Sequence, residues 1–363
     1  MGKTVNILGW NNGSGLSRDI NILRSMLSGL GCAVFVNKNL DGGTRSSRLE
    51  RVRRGLQMSR ASKVAVRYAG MRPPFDLNIH LEDIQGGCLW LAKRNVLIPN
   101  QEWFRDWCRP YLPLIDQVWA KTHLAQRLFS ALGCDARLIG WSSVDRQSPG
   151  GVDQKMLTGL HIAGASMAKG TEAVLDVWSR NPEWPLLRVL RRTRGYGGGI
   201  LPWRERALAP NIQISTDRVD EETLLRWQND SALCICPSEA EGFGHVIAEG
   251  MSVAAVVITT DAPPMNEMVT PGTGLRVVVD RAEPIGLGER YIVNPGDLEI
   301  KIRTALDMTA AEREAMGRAA RARYEAMTRA FREQFKECLE TILSTADGRV
   351  TRMKPSGSEA AEG

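Results

Sequence analysis

The chain has 363 residues, more than one hydrophobic core usually serves, so two domains are expected. Its composition, 43% hydrophobic and 24% charged, is that of a globular protein, and no apolar run approaches the ~20 residues of a membrane-spanning helix. The net charge of +6 is unevenly spread: residues 1–150 hold 21 Lys+Arg against 11 Asp+Glu, which leaves the remainder slightly acidic.

The opening "MGKTVNILGW" runs straight into a strand pattern and lacks the regions of a secretory signal, which points to the cytoplasm, at most peripheral at a membrane surface. Seven scattered cysteines, with no C-x-x-C and no histidines at zinc spacing, read as buried free thiols and not as disulfides or metal ligands. The basic excess is densest between Arg45 and Arg72, where nine basic residues face only Glu50. Such a run is either a solvated face or a surface for an anionic partner, phospholipid or nucleic acid.

In chain order, short apolar runs alternate with helical patterns, the signature of parallel sheets covered on both faces. "TVNILGW" reads as a strand, "LSRDINILRSMLSGLG" as an amphipathic helix and "AVFV" as the next strand. Further strands are expected at "KVAVRYA", "DLNIHL", "NVLIP", "QVWA" and "ARLIG", with "THLAQRLFSALG" helical between the last two. The polar stretch 142–155 reads as a linker. The pattern then restarts with strands at "GLHIAG", "LLRVLRR", "NIQIS", "ALCICP" and "AAVVITT", and with helices at "GTEAVLDVWSRN", "DEETLLRWQND" and "GHVIAEGM". The expected fold is α/β, two Rossmann-like doubly wound domains (1–150 and 151–325) facing a central cleft. From about Ala310 to Ala346 the sequence turns helical and charged, with helix 326–346 expected to return toward the first domain, and the tail 347–363 is disordered by composition.

Three stretches carry chemistry. In "GWNNGSGLSR", Gly13, Ser14 and Gly15 lie between a strand and a helix, where backbone N–H groups and the helix's positive end can meet a phosphate, although a structural turn fits as well. Arg18 stands where a third glycine of the dinucleotide fingerprint would be, so a nicotinamide site is disfavoured. In "HIAGASMAKGTEAV", Lys169 and Gly170 open a helix that Thr171 is expected to cap, and the lysine can neutralise a phosphate in the cleft. In "PSEAEGFGHVIAEG", Glu241 precedes a helix expected near His245, and Glu249 lies inside it. The two carboxylates stand too far apart to act on one bond, and suit an extended ligand.

This last block, with "VVITTDAPPMNEMV" after it, resembles the E-x7-E signature of retaining GT-B glycosyltransferases of family 4, or group 1. The resemblance covers most of 155–330, includes Glu267, and continues more weakly through "QVWAKTHLAQRLFSALGCDARLIGWSSVD". It implies a nucleotide-sugar donor, UDP-glucose-like, and transfer with retention. Lys169 would bind the donor diphosphate and Glu241 the sugar. Gly242, Phe243 and Gly244 would lie near sugar and phosphates, Glu249 would hold the ribose hydroxyls, and Gly13 and Gly15 would cross the cleft from the phosphates. Lys169 and Glu241 are the expected catalytic pair. No metal or other cofactor is implied, and the chain contains no D-x-D.

Two departures stand out. The family's arginine five residues before the lysine is Gly164 here, so Arg18, Arg191 or Arg192 would have to replace it. The region of a first-domain histidine holds Asn100, Gln101 and Glu102 instead. Arg18, His80, Asn100 and Glu102 are the acceptor-side candidates, with His80 read as packed rather than catalytic. Glu102, Asp19 or the leaving phosphate would accept the acceptor's proton. The basic first half favours an anionic acceptor, a lipid-linked or lipopolysaccharide-type glycan. A hydroxymethylated base in DNA is the alternative, with Trp103, Trp107 and Trp119 as stacking residues. A third reading is a non-catalytic nucleotide-sugar or nucleic-acid binding protein.

Overall fold

The computed structural model describes residues 2–10, 13, 15–36, 73–149, 155–194, 209–217 and 219–344. Ser14, the basic run 45–72 with its expected strand "KVAVRYA", and the tail 347–363 lie outside the described residues.

Two six-stranded parallel sheets form the molecule, as the alternation of apolar runs and helical patterns predicts. The first has the order β2-β1-β3-β4-β5-β6, built from β1 (Thr4–Leu8), β2 (Ala33–Val36), β3 (Phe75–Leu81), β4 (Ala92–Ile98), β5 (Gln117–Ala120) and β6 (Ala136–Leu138). Helices α1 (Gly15–Gly29) and α2 (His123–Ala131) cover it, α2 being capped by the Thr122 hydroxyl, which accepts from Ala125 N at 3.1 Å. The second has the order β12-β11-β10-β7-β8-β9, from β7 (Met156–Gly164), β8 (Leu187–Arg191), β9 (Ile212–Ser215), β10 (Ser231–Cys236), β11 (Val256–Thr260) and β12 (Leu275–Val277). Its helices are α3 (Thr171–Ser179), α4 (Glu221–Asp230), α5 (His245–Ser252), α6 (Met265–Met268) and α7 (Pro295–Asp307). β1 lies between β2 and β3, and β7 between β8 and β10, so each sheet reverses its strand order there. Ligands of doubly wound sheets gather at the carboxyl ends of such strands.

Two features go beyond the sequence reading, and a third makes one helix of the stretch expected to be helical from about Ala310. An antiparallel hairpin, β13 (Val279–Ile285) with β14 (Gly288–Val293), leaves the second sheet. Its exposed charges break the apolar pattern that marks a core strand. Three 3-10 turns flank β4: Gly86–Leu91 leads into it, and Gln101–Trp103 and Asp106–Leu114 follow it. One 35-residue helix, α8 (Ala310–Ser344), about 50 Å long by helical rise, joins the two domains. Its first half packs so closely on the loop after α5 that a Cβ at Gly317 would stand 2.1 Å from Ala254 O. Its second half inserts Phe331 and Phe335 among first-domain aromatics: the Phe335 ring lies 5.4 Å from Trp119 and the Phe331 ring 4.8 Å from Trp141. The resulting core is continuous from α1 and β1 through α5 to α8.

The stretch expected as a linker does more than link. Ser142, Ser143 and Arg146 are buried, Arg146 N donates to Ser252 Oγ at 3.0 Å, and Asn229 Nδ2 donates to Arg146 O at 2.8 Å. Trp119 is fully buried, which removes it from any stacking surface; Trp103 and Trp107 remain about half exposed. Among the described residues no helix is long and apolar enough to cross a membrane.

Candidate active site

The loops at the two strand-order reversals meet face to face. In the second domain, Gly170 adopts φ +65° at the N-cap of α3 and packs against the other loop, so that a Cβ there would stand 2.3 Å from Pro237 O. Only glycine fits. The cap is thus Gly170 and not Thr171, whose hydroxyl instead bonds His161 Nε2 at 2.9 Å while His161 Nδ1 bonds Ile235 O at 2.7 Å. Burial holds His161 neutral, with its pKa pushed down to about 4. This locks the carboxyl ends of β7 and β10 and sets Lys169 beside Glu241, with which it forms an ion pair.

Gly244, at φ +108°, turns the chain into α5, whose second turn carries Glu249, 1% exposed. The Glu249 carboxylate accepts from Arg18 Nη1 at 2.8 Å, Ser143 Oγ at 3.2 Å and Gln228 Nε2 at 3.0 Å. Gln228 is itself oriented by Arg146 Nε at 2.7 Å. Phe243 is buried and lies edge-on to the His245 ring.

From the first domain, Gly13 at φ +68° donates its N–H to Ser17 Oγ at 2.7 Å, and Gly15 comes close enough to the second domain that a Cβ would stand 3.9 Å from His245 Cδ2. Beside them, Asp19 binds Lys121 Nζ at 2.6 Å, Trp141 Nε1 at 2.7 Å and His245 Nε2 at 3.0 Å. Burial alone would raise the Asp19 pKa, but the charges and hydrogen bonds of Lys121 and His245 outweigh it and bring it to about 2. His245 Nδ1 in turn bonds Ser143 Oγ at 3.0 Å, so a polar chain runs from Asp19 to Glu249 across the domain boundary.

A third group comes from β3 and β4. Glu82 follows β3 with φ +65°, a strained conformation for a side-chain-bearing residue, and accepts from Asn100 Nδ2 at 3.1 Å. Asn100 Oδ1 accepts from Lys121 Nζ at 3.0 Å. The Asn100 amide lies so near Gly242 that a Cβ there would stand 2.2 Å from Oδ1. Gln101 Nε2 donates to Glu241 O at 2.7 Å. The tip of the β13–β14 hairpin closes over the same turn: Leu287 N donates to Gln101 O at 2.9 Å, and a Cβ at Gly286 would stand 2.5 Å from Glu102 O. Burial, helped by the charges of Glu241 and Glu82, pushes the Glu102 pKa up to about 8. Further out, Glu267 of α6 accepts from His123 N at 2.7 Å and Leu124 N at 2.8 Å, binding the start of α2 across the interface.

The structure therefore brings together Gly13, Gly15, Arg18, Asn100, Glu102, Lys169, Gly170, Glu241, Gly242, Phe243, Gly244 and Glu249. His80 is not among them. It is fully buried, receives Gln85 N on Nδ1 at 3.0 Å and bonds Asn95 Oδ1 through Nε2 at 3.2 Å, and burial lowers its pKa to about 4. It belongs to an amide ladder in which Asn6 Nδ2 donates to Asn78 and Asn78 Nδ2 to Asn95, each at 2.9 Å. Of the possible replacements for the arginine missing at Gly164, Arg191 pairs with Glu172 at 2.8 Å, while Arg18 points at Glu249 across the cleft. Asp19, weighed in the sequence as a proton acceptor, is joined by Glu82, Lys121, Ser143 and His245, for which the sequence reading had no role; only their place directly after a strand could have pointed to Glu82 and Lys121.

Residues 184–292 match the model described as "Glycosyl transferases group 1". No curated protein sequence matches the chain. Among solved structures, a glycosyltransferase from Rickettsia africae is similar over 95% of this chain and 100% of its own, with TM-score 0.66 and 14% identity. The lipopolysaccharide outer core galactosyltransferase WaaB, in its apo form, is similar over 93% and 99%, with TM-score 0.62 and 13% identity. HepE of Anabaena, solved with UDP and glucose, is similar over 93% and 100%, with TM-score 0.58 and 16% identity. With two parallel Rossmann-like sheets facing one cleft, the chain has the GT-B fold, and its residues 184–292 carry a group 1 glycosyl transferase domain.

Proposed function

We propose that the chain is a retaining, metal-independent hexosyltransferase that uses a UDP-glucose-like donor and a hydroxyl of an anionic, lipid-linked or lipopolysaccharide-type glycan. One observation carries the donor half: Lys169 and Glu241 are paired at the strand-order reversal of the second sheet, with Glu249 further along the adjoining helix. Lys169 and the N–H groups opening α5 meet the diphosphate, Glu241 accepts hydrogen bonds from the sugar, and Glu249 accepts them from the ribose. Ribose hydroxyls would replace Ser143 and Arg18 on Glu249, which releases Arg18 to face the phosphates in place of the arginine absent at Gly164.

In the reaction the bond from the anomeric carbon to the phosphate oxygen breaks and the bond to the acceptor oxygen forms on the same face. The acceptor's proton passes to the departing phosphate. Two features support this last assignment: Asp19, at about 2, is too weak a base, and Glu102, at about 8, already holds its proton at neutral pH. Lys169 stabilises the charge that grows on the phosphate, in a cleft from which closure excludes water. The basic excess of residues 1–150 supports the anionic acceptor, and the likeness to a lipopolysaccharide outer core galactosyltransferase and to HepE, solved with UDP and glucose, supports a glycan acceptor and a UDP donor.

A thermal-shift screen of nucleotide sugars tests the donor: a true donor at 100 times its Kd stabilises by ~2.7 kcal/mol. Turnover in EDTA tests metal independence. If no nucleotide sugar stabilises or turns over, the reading falls. Transfer to hydroxymethylated duplex DNA and to no lipid-linked glycan would replace the acceptor assignment.

A further inference from the structure

The β13–β14 hairpin holds on to both domains, and at its base it grips the loop that carries Glu241. Tyr291 N donates to Glu239 O at 2.7 Å, and Arg290 Nε donates to Glu239 Oε2 at 2.6 Å. Glu239 N in turn donates to Ala168 O at 3.0 Å, in the residue before Lys169. Glu239 therefore ties the hairpin to both members of the Lys169–Glu241 pair. Its side chain is only 13% exposed, so the charge-assisted bond from Arg290 is partly shielded from water and stronger than a surface contact.

At its tip the hairpin reaches the first domain. Leu287 N donates to Gln101 O at 2.9 Å, and the Leu287 side chain packs against the first-domain cluster that contains Phe104, Leu112 and Phe129. Gly286, at φ +54°, admits no side chain, since a Cβ would stand 2.5 Å from Glu102 O. Gln101 Nε2 then returns to the second domain at Glu241 O, 2.7 Å away. The path from Glu239 through the hairpin and Gln101 to Glu241 is thus closed, and it fastens the donor loop at two points. Residues 280–284 of β13 are exposed, and Arg281 pairs with Glu283 of the same strand at 3.2 Å. A two-stranded hairpin with such a face is marginal by itself, so the contacts at its two ends hold it in place.

We propose that the hairpin is a strap in which Arg290 and Leu287 are positioning residues: seating of its tip on the first domain fixes Lys169 and Glu241 in register for sugar transfer. The proposal rests on the donor site described above. Arg290 acts through Glu239, and Leu287 through Gln101. The tip finds its seat only where the two domains meet. When they part, the bonds from Leu287 to Gln101 and from Gln101 to Glu241 are lost together, and the loop keeps its tie at Glu239 alone. Nucleotide affinity rests on Glu249, in the helix beyond that loop, so the strap bears on turnover and not on nucleotide binding.

The experiment measures UDP-glucose hydrolysis and UDP affinity in wild type, Leu287→Asp, Arg290→Ala and the double variant. Leu287→Asp sets a charge against the apolar cluster and unseats the tip, while Arg290→Ala frees the base. Each should lower kcat by ~30–100-fold, the scale of a small misplacement of reacting groups, and leave the Kd for UDP within about threefold. The double variant should fall no further than the worse single one, because both changes open the same closed path. Leu287→Met and Arg290→Lys should recover about tenfold or more. In the wild type, amide hydrogen exchange of the segment around Leu287 should slow on addition of UDP-glucose, a reading that needs no variant to fold. Wild-type kcat in both single variants, losses that multiply in the double variant, or exchange at the tip that UDP-glucose does not change would each overturn the strap. Absence of UDP-glucose binding to wild type would instead sink the donor reading.

Discussion

Replacing Asp19 by alanine should be among the most damaging single changes in the first domain. The carboxylate is 2% exposed and receives Lys121, Trp141 and His245 at 2.6, 2.7 and 3.0 Å. Without it the Lys121 ammonium, almost as buried, keeps only Asn100 Oδ1 at 3.0 Å and the face of Trp141 at 4.9 Å. Removing one partner of a buried ion pair costs about 3–5 kcal/mol, and the orphaned indole N–H about 1 kcal/mol more. The pH dependence gives an independent figure. A carboxyl lowered from 3.8 to about 2 contributes roughly 2.5 kcal/mol that is fully present above pH ~4 and lost as pH falls through the folded value. Urea unfolding followed by tryptophan fluorescence, at pH 7 and along a series down to pH 2.5, measures both. The double variant Asp19→Ala/Lys121→Met should recover part of the loss, because it removes the stranded charge. A loss below ~1 kcal/mol for Asp19→Ala at pH 7 would refute the buried-pair argument.

Phe335→Ala should destabilise by about 3–5 kcal/mol in chemical unfolding, since its fully buried ring ties α8 to Trp119; a loss under ~1 kcal/mol would mean that α8 is not anchored there. Gly242→Ala places a Cβ on the Asn100 amide, which Lys121 and Glu82 hold in place, so a strain of ~1–3 kcal/mol should appear as reduced turnover. Asn100→Gly should relieve it in the double variant, and additive effects would argue against direct contact. Glu267→Ala takes the acceptor from two N–H groups at the start of α2 and should cost ~1 kcal/mol of stability, while an unchanged melting temperature would speak against the cap. Lys169→Ala should lower kcat and Glu249→Ala should weaken UDP binding; normal donor kinetics in both would dismiss the donor site.

The alternation of strand and helix was legible because each element announces itself locally. "QVWA" is a run of four buried residues between polar neighbours, and "DEETLLRWQND" carries its own Asp220 cap, which accepts from Thr223 N at 2.7 Å. The left-handed backbone of Gly170 and Gly244, which leaves little choice of residue there, is seen only in the structure. By the local logic that marks the strands and helices, Lys169, Glu241 and Glu249 stand out in the sequence by their places on a loop and the helix after it, and the family resemblance supplies the roles expected of them. The partners of those residues were not legible. Arg18 reaches Glu249 across 231 positions, His245 reaches Asp19 across 226, and Gln101 meets Glu241 across 140. Such pairs depend on the angle at which the two sheets face each other, and α8 and the β13–β14 hairpin hold that angle by contacts that no local pattern encodes. The same long-range packing buried Trp119, locked His80 into the amide ladder and placed Glu102 among other acids. The sequence by itself determined two doubly wound sheets and the residues at their switch points. Tertiary structure decided which carboxyl groups carry charge, because that depends on distances between chemically ordinary residues far apart in the chain.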